Sequence, residues 1–334
     1  MGASSSVPPV LLIAFNRTDT LQEVIRALTP LAPQRMYVAA DGPRAHVAAD
    51  PARCAAVRAM LTNLPWKCDI ATRFPDANAG CARGVSGAIS WFFEHEQSGV
   101  ILEDDCVPDP SFLGFAAELL ERHSGDEEVM SVSGTRLARP LPEQRESYRF
   151  SRYFSAWGWA SWRRAWQRFE LDIGDWRSKC RSPGVPSDHM SRAARRGWTR
   201  RLDEVVPSAP HTQPHTQPHT QPHTQPHTWD YQWTFAHFRH RGLSALPKVN
   251  LVTNIGAGAD ATHTSRAGLW FDIPRQSLAL PTIPPRGLLI DEDADLHHEL
   301  WAKNHRPWLM RKWWQFRNRH SIGSLDARRG WLRS

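Results

Sequence analysis

The sequence predicts an α/β fold in which a mainly parallel sheet is flanked by helices. Three short apolar runs, 10–15, 36–40 and 100–102, have the length and composition of buried strands. Segments with apolar residues at helical spacing lie between them, and polar or acidic residues follow each run directly. Strands that alternate with helices form βαβ units, whose parallel strands end on the same side of the sheet.

The first strand is followed by two polar residues and then by a helix. Asn16 and Arg17 come directly after the apolar run. Thr20 and Glu23 have the spacing of a capping box, which predicts that the helix begins at Thr20. Its apolar face consists of Leu21, Val24, Ile25 and Leu28.

The next two strands follow the same plan. The second strand ends at Asp41, and the Asp-Pro pair at Asp50 predicts the start of a helix. A weaker strand over 68–74 leads to Asn78 and to a helix over 81–94. The regular alternation supports the parallel sheet.

The central strand, 100–102, ends abruptly in the acidic triplet 103–105. Asp109 is placed to cap the following helix, over 111–123, whose first position is a proline. A fifth strand is predicted over 129–132.

The triplet predicts a functional site. Three adjacent carboxylates repel one another, and a hard divalent cation among them relieves that repulsion. Open α/β sheets also bind ligands at the carboxyl ends of their strands. The alternative interpretation is a solvated acidic turn, but the strand before the triplet and the capped helix after it favour a site.

Polar residues at the ends of four strands are expected to converge on one cleft. Asn16, Asp41, Asn78 and the triplet 103–105 each follow a predicted strand. Because parallel strands end at the same edge of the sheet, these groups should lie close together. The convergence is stronger evidence for a site than any single motif.

The second half of the chain begins with an aromatic segment. Residues 153–166 contain four of the sixteen tryptophans, with Gly158 among them. Small residues between the rings indicate an aromatic floor that a ligand can approach closely, and indole faces suit carbohydrate. Core packing explains about half of these rings equally well.

A further ordered segment is predicted to begin at Trp229 and Asp230. They open a helix that is expected to run to about His240, with Gly242 as the residue that ends it, and a strand over 249–253 follows. A glycine-rich turn then leads to His263, which could swing onto a metal or a phosphate.

A tetrapeptide repeat interrupts the second half. Residues 211–228 contain four copies of His-Thr-Gln-Pro and a final His-Thr. Proline at every fourth position prevents a helix, so an extended, disordered insertion without a catalytic role is expected.

Composition narrows the class of protein. The 334 residues carry a net charge of +7, but the basic residues concentrate in 192–201 and 303–333, so the first half does not resemble a polynucleotide binder. Five cysteines without metal-type spacing indicate free thiols in a reducing compartment, and neither a signal peptide nor a membrane span is visible. A cytoplasmic protein is expected. The Trp-rich basic tail, 300–319, suits peripheral contact with the inner face of a membrane, or equally a packed helix with a solvated basic face.

The order of these motifs resembles the GT-A nucleotide-sugar glycosyltransferases over residues 10–264. The resemblance is closest to the N-acetylglucosaminyltransferase I type and to the bacterial sugar transferases labelled haemolytic protein HlpA-like. It rests on the strands followed by Asn16-Arg17 and Asp41, the triplet 103–105, an aromatic-Gly-Trp segment, and Trp229-Asp230. It implies a Rossmann-like GT-A domain with a donor half over 8–135 and an acceptor half over 136–270, followed by the tail 271–334.

The resemblance implies a set of donor-binding residues. They are Phe15, Asn16, Arg17, Asp41, Arg83, Glu103, Asp104, Trp157 and Trp229. Arg17 would contact the diphosphate, and Asp41 the base. Arg83 stands where the family has a histidine that touches the nucleotide. Glu103 would meet the donor sugar and Asp104 the ribose.

The resemblance also implies the catalytic and metal-binding groups. Asp230, beside Trp229, would be the base that takes a proton from the acceptor hydroxyl, and Trp157 would line the sugar site. Asp105 would bind Mn²⁺ or Mg²⁺, and His263 would lie on the loop that closes over the diphosphate. The partners would be a nucleotide-sugar donor, with UDP as the expected carrier, and a glycan or lipid-linked acceptor, without nucleic acid.

Two other functions are compatible with parts of the sequence. A sugar nucleotidyltransferase shares the sheet and the metal-binding carboxylates, but needs a glycine-rich basic loop after the first strand, where this chain has Asn16-Arg17. A non-enzymatic, membrane-active protein of the haemolysin kind is suggested by the Trp-rich basic tail, but needs neither the triplet nor Asp230.

Overall fold

A computed structural model describes residues 7–136, 143–182, 189–206, 228–256 and 273–302. The strands are β1 (Val10–Ala14), β2 (Arg35–Ala40), β3 (Asp69–Arg73), β4 (Ser98–Glu103), β5 (Cys106–Pro108), β6 (Val129–Ser133), β7 (Tyr148–Ser151), β8 (Trp159–Trp162), β9 (Leu243–Pro247) and β10 (Val252–Asn254). The helices are α1 (Thr18–Leu28), α2 (Asp50–Thr62), α3 (Gly80–His95), α4 (Ser111–Arg122), α5 (Arg163–Trp166), α6 (Trp176–Lys179), α7 (Arg192–Val205), α8 (Asp230–His240) and α9 (Glu292–Ala302).

Eight strands form one sheet in the order β3-β2-β1-β4-β8-β6-β9-β7. The pairs β1–β2, β2–β3, β1–β4 and β6–β9 are parallel, and the pairs that involve β7 or β8 are antiparallel. Six strands therefore run in one direction, and β7 and β8 run against them. The prediction of a mostly parallel, Rossmann-like sheet flanked by helices is confirmed.

The central strands are buried on both faces, which explains why they read as continuous apolar runs. On β1, Leu12 packs with the apolar residues of α1, α2 and α4, whereas Leu11 and Ile13 pack with those of α3. Side chains alternate along a strand, so one short run serves both layers. The sheet is thereby fixed between two sets of helices.

A small second sheet closes over the carboxyl-terminal edge of the large sheet. β5 pairs antiparallel with β10, with Cys106 opposite Asn254. The expected strand over 249–253 is only partly correct, because the chain forms β9 as an inner strand of the large sheet and then β10. The sequence of β9 contains the polar Ser244 and ends in Pro247, so it lacks the continuous apolar run by which a buried strand is recognised.

One predicted helix start is wrong. Helix α1 begins at Thr18, the hydroxyl of Thr20 has no hydrogen-bond partner among the described residues, and Glu23 pairs with Arg26 at 2.6 Å instead of forming a capping box. Helix α8 ends at His240 as predicted, but the left-handed residue that follows it is Arg241, with φ 53°, and not the expected Gly242. By contrast, Asp109 Oδ1 accepts the backbone N–H of Ser111 at 2.9 Å, as a helix cap should.

Part of the segment assigned to the tail packs onto the far edge of the sheet. Arg136 and Asp291 form an ion pair of 2.8 Å with exposed side-chain fractions of 1% and 0%. The hydroxyl of Ser151, on β7, donates to Asp295 of α9 at 2.7 Å. Residues 273–302 are thus part of the fold.

Several sequence-based expectations lie outside the described residues. They concern the repeat up to residue 227, His263, and the tail beyond residue 302. Across the described ranges, no helix has both the length and the apolar character required to cross a bilayer.

Candidate functional site

The acidic triplet lies at the carboxyl-terminal edge of the sheet. Glu103 is the last residue of β4 and pairs with Ile13 of β1. Asp104 and Asp105 form the turn into β5, and Asp104 is only 4% exposed. Because β1, β2 and β4 are parallel, the residues after β1 and β2 reach the same edge.

Arg17 contacts two of the three acids. Its Nη2 forms a short ion pair with Asp104 Oδ1 and lies 2.8 Å from Asp105 Oδ2. The backbone N–H of Phe15 donates to the other oxygen of Asp104 at 3.3 Å. The guanidinium therefore supplies the positive charge that the clustered carboxylates require.

Strand β10 fixes Asp105 from the opposite side. Asn254 Nδ2 donates to Asp105 Oδ1 at 3.1 Å, and the backbone N–H of Ile255 donates to the Asp105 carbonyl at 2.9 Å. A Cβ at Gly256 would lie 2.0 Å from Asp105 Oδ2. Only glycine allows the backbone to approach the carboxylate this closely.

Negative charge is in excess at the site. Burial, with the charges of Asp105, Asp104 and Asp230, raises the pKa of Glu103 to about 8. Burial and Asp105 likewise raise the pKa of Asp104, and its ion pair with Arg17 opposes that rise. Such shifts mark sites that are built to receive positive charge.

Asp230 belongs to the same cluster. It is the first residue of α8, where the helix dipole stabilises a carboxylate, and the Thr228 hydroxyl makes a short hydrogen bond to its Oδ1. Its charge contributes to the raised pKa of Glu103. The structure thus brings together Asp230 and the triplet, which are far apart in the chain.

Cys81 lies among these carboxylates, although nothing in the sequence except its position after Asn78 indicates this. It is half-buried in the first turn of α3. Burial and the charges of Glu103, Asp230 and Asp41 raise its pKa well above the usual range of a thiol. The side chain is therefore a neutral thiol at physiological pH, and a weak nucleophile.

Asp41 holds the amino-terminal end of α3. Its carboxylate accepts hydrogen bonds from the backbone N–H groups of Gly42, Ala79 and Gly80 at 2.9–3.0 Å, and from Asn78 Nδ2 at 3.0 Å. These donors use the capacity of both oxygens, and the carboxylate meets the positive end of the helix. In this structure Asp41 positions the loop and the helix, and Asn78 does converge on it as expected.

Asn16 reaches a carboxylate that the sequence suggested only as a helix start. Its Nδ2 donates to Asp50 Oδ1 at 2.9 Å, and Asp50 is 0% exposed. Asp50 also binds Arg44, so the loops after β1 and β2 are tied together at the edge of the site. Arg83, on α3, has an exposed side chain.

The aromatic segment divides between core and cleft. Trp159 is fully buried and stacks on Trp229 with 5.8 Å between centroids, and Trp229 itself is 3% exposed. Trp162 and Trp166 are also buried, so core packing explains these rings. Trp157 is half-buried and precedes Gly158, whose φ of 66° favours glycine. Trp229 thus supports the start of α8, and Trp157 stays nearer the surface.

The donor set fits a divalent cation only in part. Within the described ranges, no group of three or more His, Cys, Asp or Glu side chains is arranged to hold a metal. Asp105 offers one carboxylate, and Arg17 already binds its Oδ2. Mg²⁺ is commonly held by one or two carboxylates together with substrate phosphates, so Asp105 suits a metal that arrives with a diphosphate.

Compared with known proteins, the chain matches no family model and no curated protein. The functional argument therefore depends on the site itself. Its features are a buried acidic cluster at the carboxyl ends of parallel strands, one arginine bridging it, and an aspartate at the start of a helix beside it.

Proposed function

We propose that the protein is a metal-dependent, inverting glycosyltransferase of GT-A architecture. It would move a sugar from a nucleoside-diphosphate sugar, with uridine diphosphate as the carrier, to a hydroxyl group of a glycan or lipid-linked acceptor. One observation carries the proposal: Arg17, the triplet and Asp230 lie together at the ligand-binding edge of a mostly parallel sheet.

Departure of the nucleoside diphosphate is the first requirement. Negative charge develops on the diphosphate as the bond to the sugar breaks, and preorganised positive groups stabilise it. Arg17 is fixed beside Asp104 and Asp105 and supplies one such group. A bound Mn²⁺ or Mg²⁺ supplies further neutralisation, with Asp105 as its protein ligand.

Activation of the acceptor is the second requirement. A hydroxyl is a weak nucleophile, and a carboxylate that removes its proton in the transition state accelerates the reaction by roughly 10²–10⁴-fold. Asp230 fits this role, because the helix dipole favours its ionised form. Glu103, with its raised pKa, is in part protonated near neutral pH and can donate a hydrogen bond to a sugar hydroxyl.

The site favours a single displacement, which inverts the anomeric carbon. A double displacement needs a protein nucleophile that is ionised in the ground state. Burial and acidic neighbours keep the Cys81 thiol and most of the Glu103 carboxyl protonated. Asp104 and Asp105 are ion-paired with Arg17, and Asp230 is assigned to the base, so no ionised carboxylate of the cluster is left for the role of nucleophile. Direct attack by the acceptor hydroxyl needs only the base and the leaving-group stabilisation described above.

No contact among the described residues favours a rival function. A nucleotidyltransferase needs a phosphate-binding loop after β1, but here Asn16 binds Asp50 and Arg17 binds the acids. A cytoplasmic location fits the transferase, because all five cysteines are free thiols. Peripheral membrane contact through the tail remains part of the proposal.

Nucleotide binding in the presence and absence of metal tests the proposal. Binding stabilises the folded protein by mass action, so UDP with Mn²⁺ should raise the melting temperature and UDP in chelator should not. Turnover of UDP-sugars, followed by NMR of the anomeric proton, should yield a product of inverted configuration. Equal stabilisation in chelator would contradict the role of the metal, and a retained configuration would contradict the single displacement.

A further inference from the structure

An arginine that the proposed mechanism does not use lies beside the acidic cluster. The guanidinium carbon of Arg44 is 5.2 Å from the centroid of the Phe15 ring. Phe15 is half-buried, and its backbone N–H donates to Asp104. The Phe15–Arg44 pair therefore adjoins the cluster at Oδ2 of Asp104, whereas Arg17 binds Oδ1 of the same carboxylate.

Asp50 fixes Arg44 in one orientation. The buried carboxylate accepts hydrogen bonds from Arg44 Nε at 2.6 Å, from Nη2 at 3.0 Å and from the backbone N–H at 3.2 Å. These bonds from Arg44 outweigh the effect of burial and hold the pKa of Asp50 well below its usual range. The guanidinium group of Arg44 is thus preorganised, so binding a ligand costs little side-chain entropy.

One side of the guanidinium remains available. Nε and Nη2 of Arg44 donate to Asp50, whereas Nη1 of Arg44 makes no hydrogen bond to any described residue. The Arg44 side chain is 39% exposed, although Asp50 is completely buried. Nη1 carries two N–H groups and no acceptor, so it can bind only a group that accepts hydrogen bonds.

Asp41, to which the resemblance assigns the nucleotide base, already has its carboxylate hydrogen-bonded within the protein. The carboxylate of Asp41 is used by the backbone of the following loop and of α3. Contacts link Arg17 through Asp104 and Phe15 to Arg44, so a nucleotide whose diphosphate lies at Arg17 and Asp105 can reach Arg44 with its base. Arg44 is the fixed donor at that end.

We propose that Arg44, fixed by Asp50 and supported by Phe15, reads the base of the nucleotide and selects bases with a carbonyl oxygen over bases with an amino group at the same position. Uracil and hypoxanthine present an oxygen, whereas cytosine and adenine present N–H donors that a guanidinium cannot accept. This inference rests on the proposed function, because it assumes that a nucleoside diphosphate is the ligand.

Two matched pairs of nucleotides test the selection. UDP and CDP differ by an oxo and an amino group on a pyrimidine, and IDP and ADP differ in the same way on a purine. Dissociation constants measured by calorimetry with Mn²⁺ should favour UDP over CDP, and IDP over ADP, by about tenfold, the factor that corresponds to 1.4 kcal/mol.

The variants are chosen to keep the protein folded, so that a change in affinity reports on nucleotide binding. Removal of Arg44 alone leaves the buried Asp50 without its charged partner, so the main variant is the neutral pair Arg44→Gln with Asp50→Asn. A second variant, Arg44→Lys, keeps the charge beside Asp50. The control is Arg164→Ala, which removes another arginine lying over an aromatic ring, 4.5 Å from Trp162. That arginine follows the reversed strand β8 and so lies at the opposite edge of the sheet.

The neutral pair should lose the preference, because glutamine offers both a donor and an acceptor, and its UDP-to-CDP affinity ratio should fall to about one. Arg44→Lys should retain part of the preference, and Arg164→Ala all of it. An unchanged ratio in the neutral pair, or an equal loss for UDP and CDP, would overturn the inference alone. If the parent protein binds none of the four nucleotides, both the proposed function and the inference about Arg44 are wrong.

Discussion

Arg17 Nη2 lies 2.8 Å from Asp105 Oδ2, and the same nitrogen binds Asp104. A positive group therefore already occupies the space beside the carboxylate that is proposed to bind the metal. A cation and a diphosphate that arrive together can replace this ion pair, since the diphosphate gives Arg17 a new anionic partner. This exchange explains why nucleotide and metal binding should depend on each other.

Asp105→Ala should abolish the metal-dependent stabilisation by UDP. The substitution removes the proposed protein ligand of the metal, whereas Arg17 and Asp104 remain. The measurement is the shift in melting temperature with UDP and Mn²⁺ against UDP in chelator. The matched control is Asp69→Asn, at the exposed start of β3 and thus at the opposite edge of the sheet. A full shift in Asp105→Ala would remove that residue from the metal site.

Asp230→Asn should leave UDP–metal binding intact and reduce turnover by roughly two or more orders of magnitude. Asparagine cannot take a proton from the acceptor. The lost charge at the start of α8 costs about 0.3–1 kcal/mol of stability through the helix dipole. Asp293→Asn, in the exposed first turn of α9, makes the same change at another helix and should retain full turnover. Full turnover in Asp230→Asn would leave this aspartate with a structural role only.

Glu103→Gln should stabilise the protein more at high pH than at low pH. The pKa of Glu103 is raised from 4.5 to about 8 by burial and by the neighbouring charges. Between these values the unfolded chain has lost a proton that the folded protein keeps, so this carboxyl lowers the free energy of unfolding as pH rises. Below both values, and above both, its contribution is constant.

The measurement is the melting temperature of the variant minus that of the parent, at about pH 5 and about pH 8. The difference should be more positive at the higher pH. Glu23→Gln removes a surface carboxylate paired with Arg26 and serves as the control. A difference that does not change with pH would show that Glu103 ionises normally in the folded protein.

Asp291→Ala should destabilise the fold by about 3–5 kcal/mol, because it leaves Arg136 charged and buried. Chemical unfolding measures the loss. Replacing the pair by Arg136→Met with Asp291→Leu should recover most of it. Glu204→Ala breaks an exposed pair with Arg200 and should cost about 1 kcal/mol or less. Equal losses for the two single variants would mean that Asp291 is not buried.

The first half of the fold could be predicted because its elements are regular and local. β1, β2, β4 and β6 are apolar runs of strand length, and α1 and α3 have a clear apolar face. The inner strand β8 could not be predicted in the same way. It consists of Trp-Ala-Ser-Trp, and only its pairing with β4 and β6 makes it a strand.

The site was predictable where a residue follows its own strand. Glu103, Asp105, Arg17 and Asn78 are found at the expected edge for that reason. Asp50 and Cys81 were missed as site residues, because each gains its importance from neighbours on other strands. Asp50 looked like the start of a helix, and only the structure brings it to Asn16 and Arg44.

The pairing of β5 with β10 also has a consequence for biosynthesis. Asp105 and Asn254 are 149 residues apart in the chain, and their hydrogen bond forms only when both have left the ribosome. Closing so long a loop has an entropic cost, which places this contact late in folding. A nascent chain arrested before residue 252 is expected to bind no UDP–Mn²⁺, even with β1 to β4 complete. The proposed nucleotide site is therefore completed only after most of the chain has been synthesised.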